Sequence, residues 1–193
     1  MSIKMSIKKL ENRLGYKIKK NVFCVGFDTA TKSGVAMIWT NDKEVKIDTN
    51  FLKIPAIPDD TEDKSEIYEE KLDLFLNILR DFKRGLYPKT DNSILIVENS
   101  FLRMNVWTFG FLKAMMGIVY AELHDLFDEI KIIFPLTARK TIGFTSQLPK
   151  KSKGKDKKKE IMKWVSNVIE EKITDDNIAD ALVLAFAGLK EER

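Results

Sequence analysis

A chain of 193 residues with 44% hydrophobic and 32% charged content is long enough to bury one sizeable core and too balanced in composition to be disordered or fibrous. The lone cysteine excludes an intrachain disulfide, and with a single histidine beside it the usual Cys/His zinc sites are excluded too. No apolar run comes near the roughly 20 residues of a membrane helix, and the N-terminus lacks a signal-peptide core, so an intracellular protein with no membrane contact is expected.

Net charge is +4 but unevenly spread. Residues 1–20 carry seven Lys/Arg and one Glu, and KKSKGKDKKK at 150–159 carries seven Lys and one Asp. Each segment is +6, which leaves 4 − 12 = −8 on the rest of the chain. Two basic segments on an acidic body suit local contact with a polyanion such as nucleic acid, although lysine runs are also common in solvated loops.

Residues 1–20 read as a basic N-terminal extension and residues 21–193 as one folded domain. The extension repeats MSIK at 1–4 and 5–8, and Ile7, Leu10 and Leu14 line one face of a short helix ending near Gly15. Asn21–Thr40, NVFCVGFDTATKSGVAMIWT, predicts two strands: Val22 to Phe27 ending on Asp28, a small-residue turn from Thr29 to Gly34, then Val35 to Trp39. A third strand follows over Glu44–Ile54, closed by Pro55. Tyr68, Leu72, Phe75, Leu79 and Phe82 alternate in spacings of four and three, which predicts a core-facing helix from Ser65 to about Arg84. Ser93–Val97 is a short continuous apolar run, hence a buried strand, and it too ends on an acid, Glu98. A long helix is predicted over about Asn105–Phe127, its small residues Gly110, Ala114, Gly117 and Ala121 allowing close packing against a sheet. Next come a fifth strand at Ile130–Phe134, a short helix at Thr137–Ile142, a lysine loop, a helix over about Asp156–Glu171 and a last helix from near Thr174 to Lys190.

Three acids stand out. Asp28 and Glu98 end apolar strands, and Asp180 lies among Ala and Leu in the last helix, TDDNIADALVLAFAGL. Asp176 and Asn177 precede Asp180 by four and three residues, on the same helix face. Carboxylates drawn from separate elements repel one another unless cations hold them, and hard divalent ions such as Mg²⁺ or Mn²⁺ take oxygen ligands of this kind. Two ions about 4 Å apart can drive phosphodiester cleavage. Each acid has a plainer reading: Asp175 and Asp176 can complement a helix N-terminus, Asp28 can cap a turn, and Glu98 can be a paired structural acid.

With the element order, these motifs resemble the ribonuclease-H-like fold and, within it, the RuvC-type Holliday junction resolvases, over about Asn21 to Leu189. GFDTATKSGVAM is similar to the family's first motif. VENSF at 97–101, followed by Asn105 and by Met116-Gly117, is similar to the second. PLTARKTIGF at 135–144 with KKEIMKWV resembles the segment before the last helix, and NIADALVLA resembles the final motif. The resemblance implies an α/β fold with a central five-stranded mixed sheet, its first three strands antiparallel, flanked by helices. It implies Asp28, Glu98 and Asp180 as ligands of two Mg²⁺ or Mn²⁺ ions and, with Asn177, as the catalytic set. Asn177 departs from the Asp or His usual at its position, and Asp176 is the compensating ligand one turn before Asp180. Phe101 matches an aromatic that stacks near the junction centre. Phosphate contact is expected from Arg139 and Lys140 and from Lys150, Lys151, Lys153, Lys155, Lys157, Lys158 and Lys159. Such resolvases are homodimers that cut two opposed strands in DNA recombination and repair, and the apolar Asn105–Phe127 helix is the expected interface. Two alternatives stay open: a nuclease of the same fold acting on RNA, flaps or forks, and a junction-binding protein that has lost activity.

Overall fold

The structure, a computed structural model, describes residues 1–56, 64–86, 92–100, 106–147, 149 and 154–191. Its strands are β1 (Ser2–Ser6), β2 (Phe23–Asp28), β3 (Lys32–Thr40), β4 (Glu44–Lys53), β5 (Ser93–Glu98) and β6 (Glu129–Ile133). They form one sheet in the order β1-β4-β3-β2-β5-β6. Neighbours from β1 to β2 are antiparallel, while β2–β5 and β5–β6 are parallel. The helices are α1 (Ile7–Leu14), α2 (Lys64–Arg84), α3 (Val106–Leu123) with a 3₁₀ turn at His124–Leu126, α4 (Pro135–Thr141), α5 (Gly154–Ile169) and α6 (Asp176–Leu189).

The strand period of two sorts the sheet residues into two cores. Cys24, Ala36, Ile38, Ile47, Ile94 and Ile96 pack with α1, α5 and α6 on one face. Phe23, Val25, Phe27, Val35, Leu95 and Val97 pack with α2 and α3 on the other. A central strand covered on both sides has no polar side to present, which is why β2 and β5 are continuous apolar runs.

Six strands stand where five were expected, because Ser2–Ser6 adds an edge strand beside β4. The two MSIK repeats therefore take different structures. The first lies in β1; the second breaks at Ser6, whose hydroxyl accepts from the Lys9 N–H at 3.3 Å and caps α1. Helix α1 buries Ile7, Leu10 and Leu14 in the body, as their spacing predicts, and Gly15 ends it at φ +75°. Several of the basic charges of residues 1–20 are paired within the protein: Lys9 and Arg13 with Glu170, and Lys17 with Glu11 at 2.7 Å.

Helix α3 departs from expectation in two ways. Phe111, Met115, Val119 and Leu123 face the sheet, whereas Gly110, Gly117 and Ala121 face outward and a Cβ added at either glycine meets open space. Moreover, Val106–Leu126 has the length and apolarity of a membrane span, with a mean hydropathy of 1.2 and 22% of that window buried. The expectation that no such stretch exists is corrected here. Few charges interrupt this helix, and its apolar residues lie on all sides rather than only on the side that packs inward.

Candidate active site

Register brings the first two acids together. Phe27 pairs with Val97 in the parallel ladder, so Asp28 and Glu98 follow as the next residues of adjacent strands. By strand alternation both share a face with Cys24, Gly26, Ile94 and Ile96, the face covered by α6.

Glycines bring in the third acid. A Cβ on Gly26 would lie 2.0 Å from the Ala181 carbonyl oxygen and 2.6 Å from the Ala185 nitrogen, and one on Gly34 would lie 2.2 Å from the Asn177 carbonyl oxygen. Helix α6 thus rests backbone to backbone on β2 and β3. Gly34 was expected in the turn; it lies instead in β3, opposite Asp28, because β3 begins at Lys32. Asp175 caps α6 by accepting the N–H groups of Asn177 and Ile178 at 3.0 and 3.4 Å, the structural role that its place predicted. Asp180 then sits beside the strand ends.

The charge balance around the acids is unusual. Asp28 is only 6% exposed. Burial first, and then the adjacent Glu98 and Asp180 charges, push its carboxyl well above the usual carboxylate range. Burial also raises Glu98. A side-chain hydrogen bond between the two carboxyls favours one proton held by the pair. Two cations reach the cluster from the rim. Arg139 Nη2 donates to Asp180 Oδ1 at 2.8 Å, and Lys158 pairs with Asp176, which holds the ammonium above its ordinary value. Among the described residues, no three of His, Cys, Asp and Glu stand close enough to hold one ion; Asp180 and Asp176 are turned to these ion pairs.

Three buried side-chain polar atoms lack a hydrogen-bond partner among the described residues, and all flank the acids. Thr29 Oγ1 follows Asp28, Ser100 Oγ lies two residues past Glu98, and Arg139 Nε belongs to the partner of Asp180. Orphaned polar atoms are costly. Carboxylate oxygens with two unsatisfied hydroxyls close by in sequence, Thr29 and Ser100, are the kind of hard donors that a hydrated divalent ion takes.

The other predicted residues are distributed as follows. Asn177 Nδ2 donates to the Lys32 carbonyl at 2.7 Å and ties α6 to the start of β3. Lys140 is exposed in the last turn of α4. Lys155, Lys157, Lys158 and Lys159 lie in the first turns of α5, which begins at Gly154, two residues before its expected start. Four lysines at a helix N-terminus oppose its dipole, a local conflict that marks a place for an anion. Phe101, Lys150, Lys151 and Lys153 lie outside the described residues. The sequence reading missed Thr29 and Ser100 as site neighbours. Their only signal was adjacency to the acids.

The raised carboxyls make the stability of the metal-free protein depend on pH. Above about pH 4 the folded chain retains a proton that the unfolded chain releases, so this contribution is lost as pH rises. Carboxylates lowered by their ion pairs, such as Asp176 and Glu170, are already ionised by about pH 5 and add no slope above it. Urea melts in chelator are expected to show stability falling as pH rises above about pH 5, with most of that slope absent in Asp28→Asn.

No family model matches the chain, and no curated protein matches it in sequence. Solved structures do match. Thermus thermophilus RuvC in complex with a Holliday junction substrate superposes with a TM-score of 0.59 at 12% identity, covering 86% of this chain and 91% of that one. A second Thermus thermophilus RuvC structure gives 0.53 at 16% identity, covering 86% and 92%. The yeast mitochondrial Holliday junction resolvase Ydc2 superposes more loosely, at 0.49 and 12% identity, over 92% of this chain and 82% of that one. On the first two matches, the chain has the ribonuclease-H-like fold of RuvC.

Proposed function

We propose that the protein is a metal-dependent endonuclease that resolves four-way DNA junctions by paired phosphodiester hydrolysis. One observation carries this reading. Asp28 and Glu98 lie side by side at adjacent strand ends of a RuvC-type fold, Asp180 of a third segment is near enough to act on both charges, and orphaned polar atoms belong to neighbouring residues. Asp28, Glu98 and Asp180, with Asp176 or the Asn177 side-chain Oδ1 as a fourth donor, would hold two Mg²⁺ or Mn²⁺ ions, which supply Lewis-acid chemistry to a phosphate and its attacking water.

The chain's own residues do the rest. With an ion bound, Asp28 and Glu98 would release to solvent the proton that their burial favours, leaving four hard ligand oxygens across the pair. Lys140, Lys155, Lys157 and Lys159 hold DNA phosphates on the rim, and the DNA in turn relieves their mutual repulsion. In this reading residues 21–193 are the nuclease domain, with residues 1–20 packed on it. Phe101 is assigned to the junction centre.

Cutting two opposed strands needs two sites, and α3 offers the surface to join two copies. Val106, Trp107 and Tyr120 are 73%, 61% and 49% exposed. Outward Gly110 and Gly117 let a second helix approach closely. Sedimentation at micromolar concentration is expected to give a dimer, and Trp107→Glu to weaken it about tenfold or more. A monomer in the unaltered protein would remove the interface.

The decisive test is cleavage of a mobile four-way junction against linear duplex, in Mg²⁺ and in Mn²⁺. Paired nicks on the junction alone are the expected result. Nicking of flapped, forked or hybrid substrates instead would make this a nuclease of the same fold with another substrate. The second reading, a junction-binding protein without activity, draws on Asn177 and on the cations already paired with Asp176 and Asp180. It predicts junction binding with no nicks in either metal.

A further inference from the structure

Arg139 stands between two regions of opposite charge. Its Nη2 holds Asp180 at 2.8 Å, with both side chains largely covered, at 23% and 18% exposure. The guanidinium also lies close enough to Glu98 to act on its charge. Arg139 also lines a cleft with Lys140, Lys157, Phe144, Ser146 and Glu160, whose carboxylate is taken up by the Ser146 hydroxyl and the Gln147 N–H. The backbone that carries it is pinned: Ala138 and Ile142 are buried at 0% and 2%, and the chain leaving α4 is closed by Ile142 and Gly143 N–H groups onto the Ala138 and Lys140 carbonyls. The side chain has reason to move where the helix does not. Its Nε is buried without a partner among the described residues, and a single carboxylate oxygen takes its one contact to Asp180. Guanidinium is built for two parallel bonds, and a phosphate offers them better than this site does.

We propose that Arg139 is a resident counter-cation of Asp180 that excludes the divalent ion until a DNA phosphate in the Lys140–Lys157 cleft draws the guanidinium away. Metal and DNA then bind cooperatively. Free protein keeps its acids neutralised from within, and a backbone phosphate entering the cleft releases Asp180 at the moment when an ion is needed. Linkage makes the effect reciprocal: DNA tightens the metal by the same factor as the metal tightens DNA. The inference rests on the assignment of Asp180 as a metal ligand made above, and it adds a positioning role for Arg139 that acts through that ligand.

The test is Mn²⁺ binding by the full chain at neutral pH, read from the spin resonance signal of the free ion. It is run alone and with a linear duplex, which supplies phosphates without being a junction; the duplex's own Mn²⁺ uptake is measured separately and subtracted. For the unaltered protein, duplex is expected to tighten Mn²⁺ about tenfold. Arg139→Gln is expected to bind Mn²⁺ about tenfold tighter than the unaltered protein without DNA, and to lose most of the duplex effect. Arg139→Met keeps the apolar stem and serves as the second variant, with thermal melting to report folding of both. A merely structural role for Arg139 would weaken Mn²⁺ binding or leave it unchanged, and either result in a folded variant overturns the proposal. Asp180→Asn separates the two levels. If it leaves Mn²⁺ binding intact, the metal-ligand assignment falls and this inference with it. Should Asp180→Asn abolish binding while Arg139→Gln and Arg139→Met change nothing, the counter-cation role alone is overturned.

Discussion

Asp28→Asn is expected to lower junction cleavage by roughly a thousandfold or more while making the metal-free protein more stable at neutral pH. The activity loss follows from removing a charged ligand oxygen where several kcal/mol of charge stabilisation are needed, each 1.4 kcal/mol being about tenfold in rate. The stability gain follows from the same carboxyl's setting. Asp28 is buried against Glu98 and within reach of Asp180, so ionising it costs free energy that an amide of the same shape does not. Each kcal/mol relieved raises the melting temperature by about 3 °C in a chain of this size. Nicking assays and thermal melts in chelator on one preparation check both halves. A variant that loses activity and stability together would instead make Asp28 a structural residue that caps the strand end. Opposite movement of the two readouts is the mark of a site held under electrostatic strain for function.

Gly26→Val is the second large effect, and it acts without touching any acid. The new side chain would meet the backbone of Ala181 and Ala185, and backbone cannot rotate aside as a side-chain tip can. Either α6 lifts from β2 or the strand bends. The expected cost is about 3 kcal/mol or more, beyond a typical overpacked core position, seen as a shift of the urea midpoint with an unchanged slope. Cleavage is expected to fall further than the loss of folded protein explains, because a helix lifted from β2 carries Asp180 away from Asp28 and Glu98. Gly110→Ala is the contrasting control. Within one copy it meets open space on a helix, where alanine is the better helix former, so the stability of the single chain is expected to hold or rise, while the close approach of a second α3 proposed above would be hindered.

These two positions show what local pattern can and cannot carry. Apolar strands ending on Asp28 and Glu98 were legible as a period change followed by an acid, and the amphipathic face of α2 was legible from its spacing, with Phe75 and Leu79 at the centre of the core. Phosphate-binding candidates were legible only as composition: Lys155, Lys157, Lys158 and Lys159 stood out as a basic run, and all four lie on α5. The inward face of α3 was misjudged because a helix that is apolar all round carries no phase. Small residues suggested close packing on the sheet, whereas Phe111 and Met115 pack there and the glycines face out. The strand at Ser2–Ser6 was missed because a five-residue edge strand with two serines and a lysine has little signal until β4 is there to pair with it.

The sequence by itself nominated the residues proposed to carry the chemistry and determined the order of the elements from β2 onward, since both follow from side-chain type and from periods within a few residues. Tertiary structure decided what those residues do to one another. The parallel register of β2 and β5 set Asp28 beside Glu98, the bare backbones of Gly26 and Gly34 let α6 bring Asp180 to them, and burial favoured one proton held by the pair. It also placed Arg139 on Asp180 across 41 residues of chain. Charge–charge free energies depend on distance and on the surrounding dielectric, and neither quantity exists until separate segments have been packed against each other.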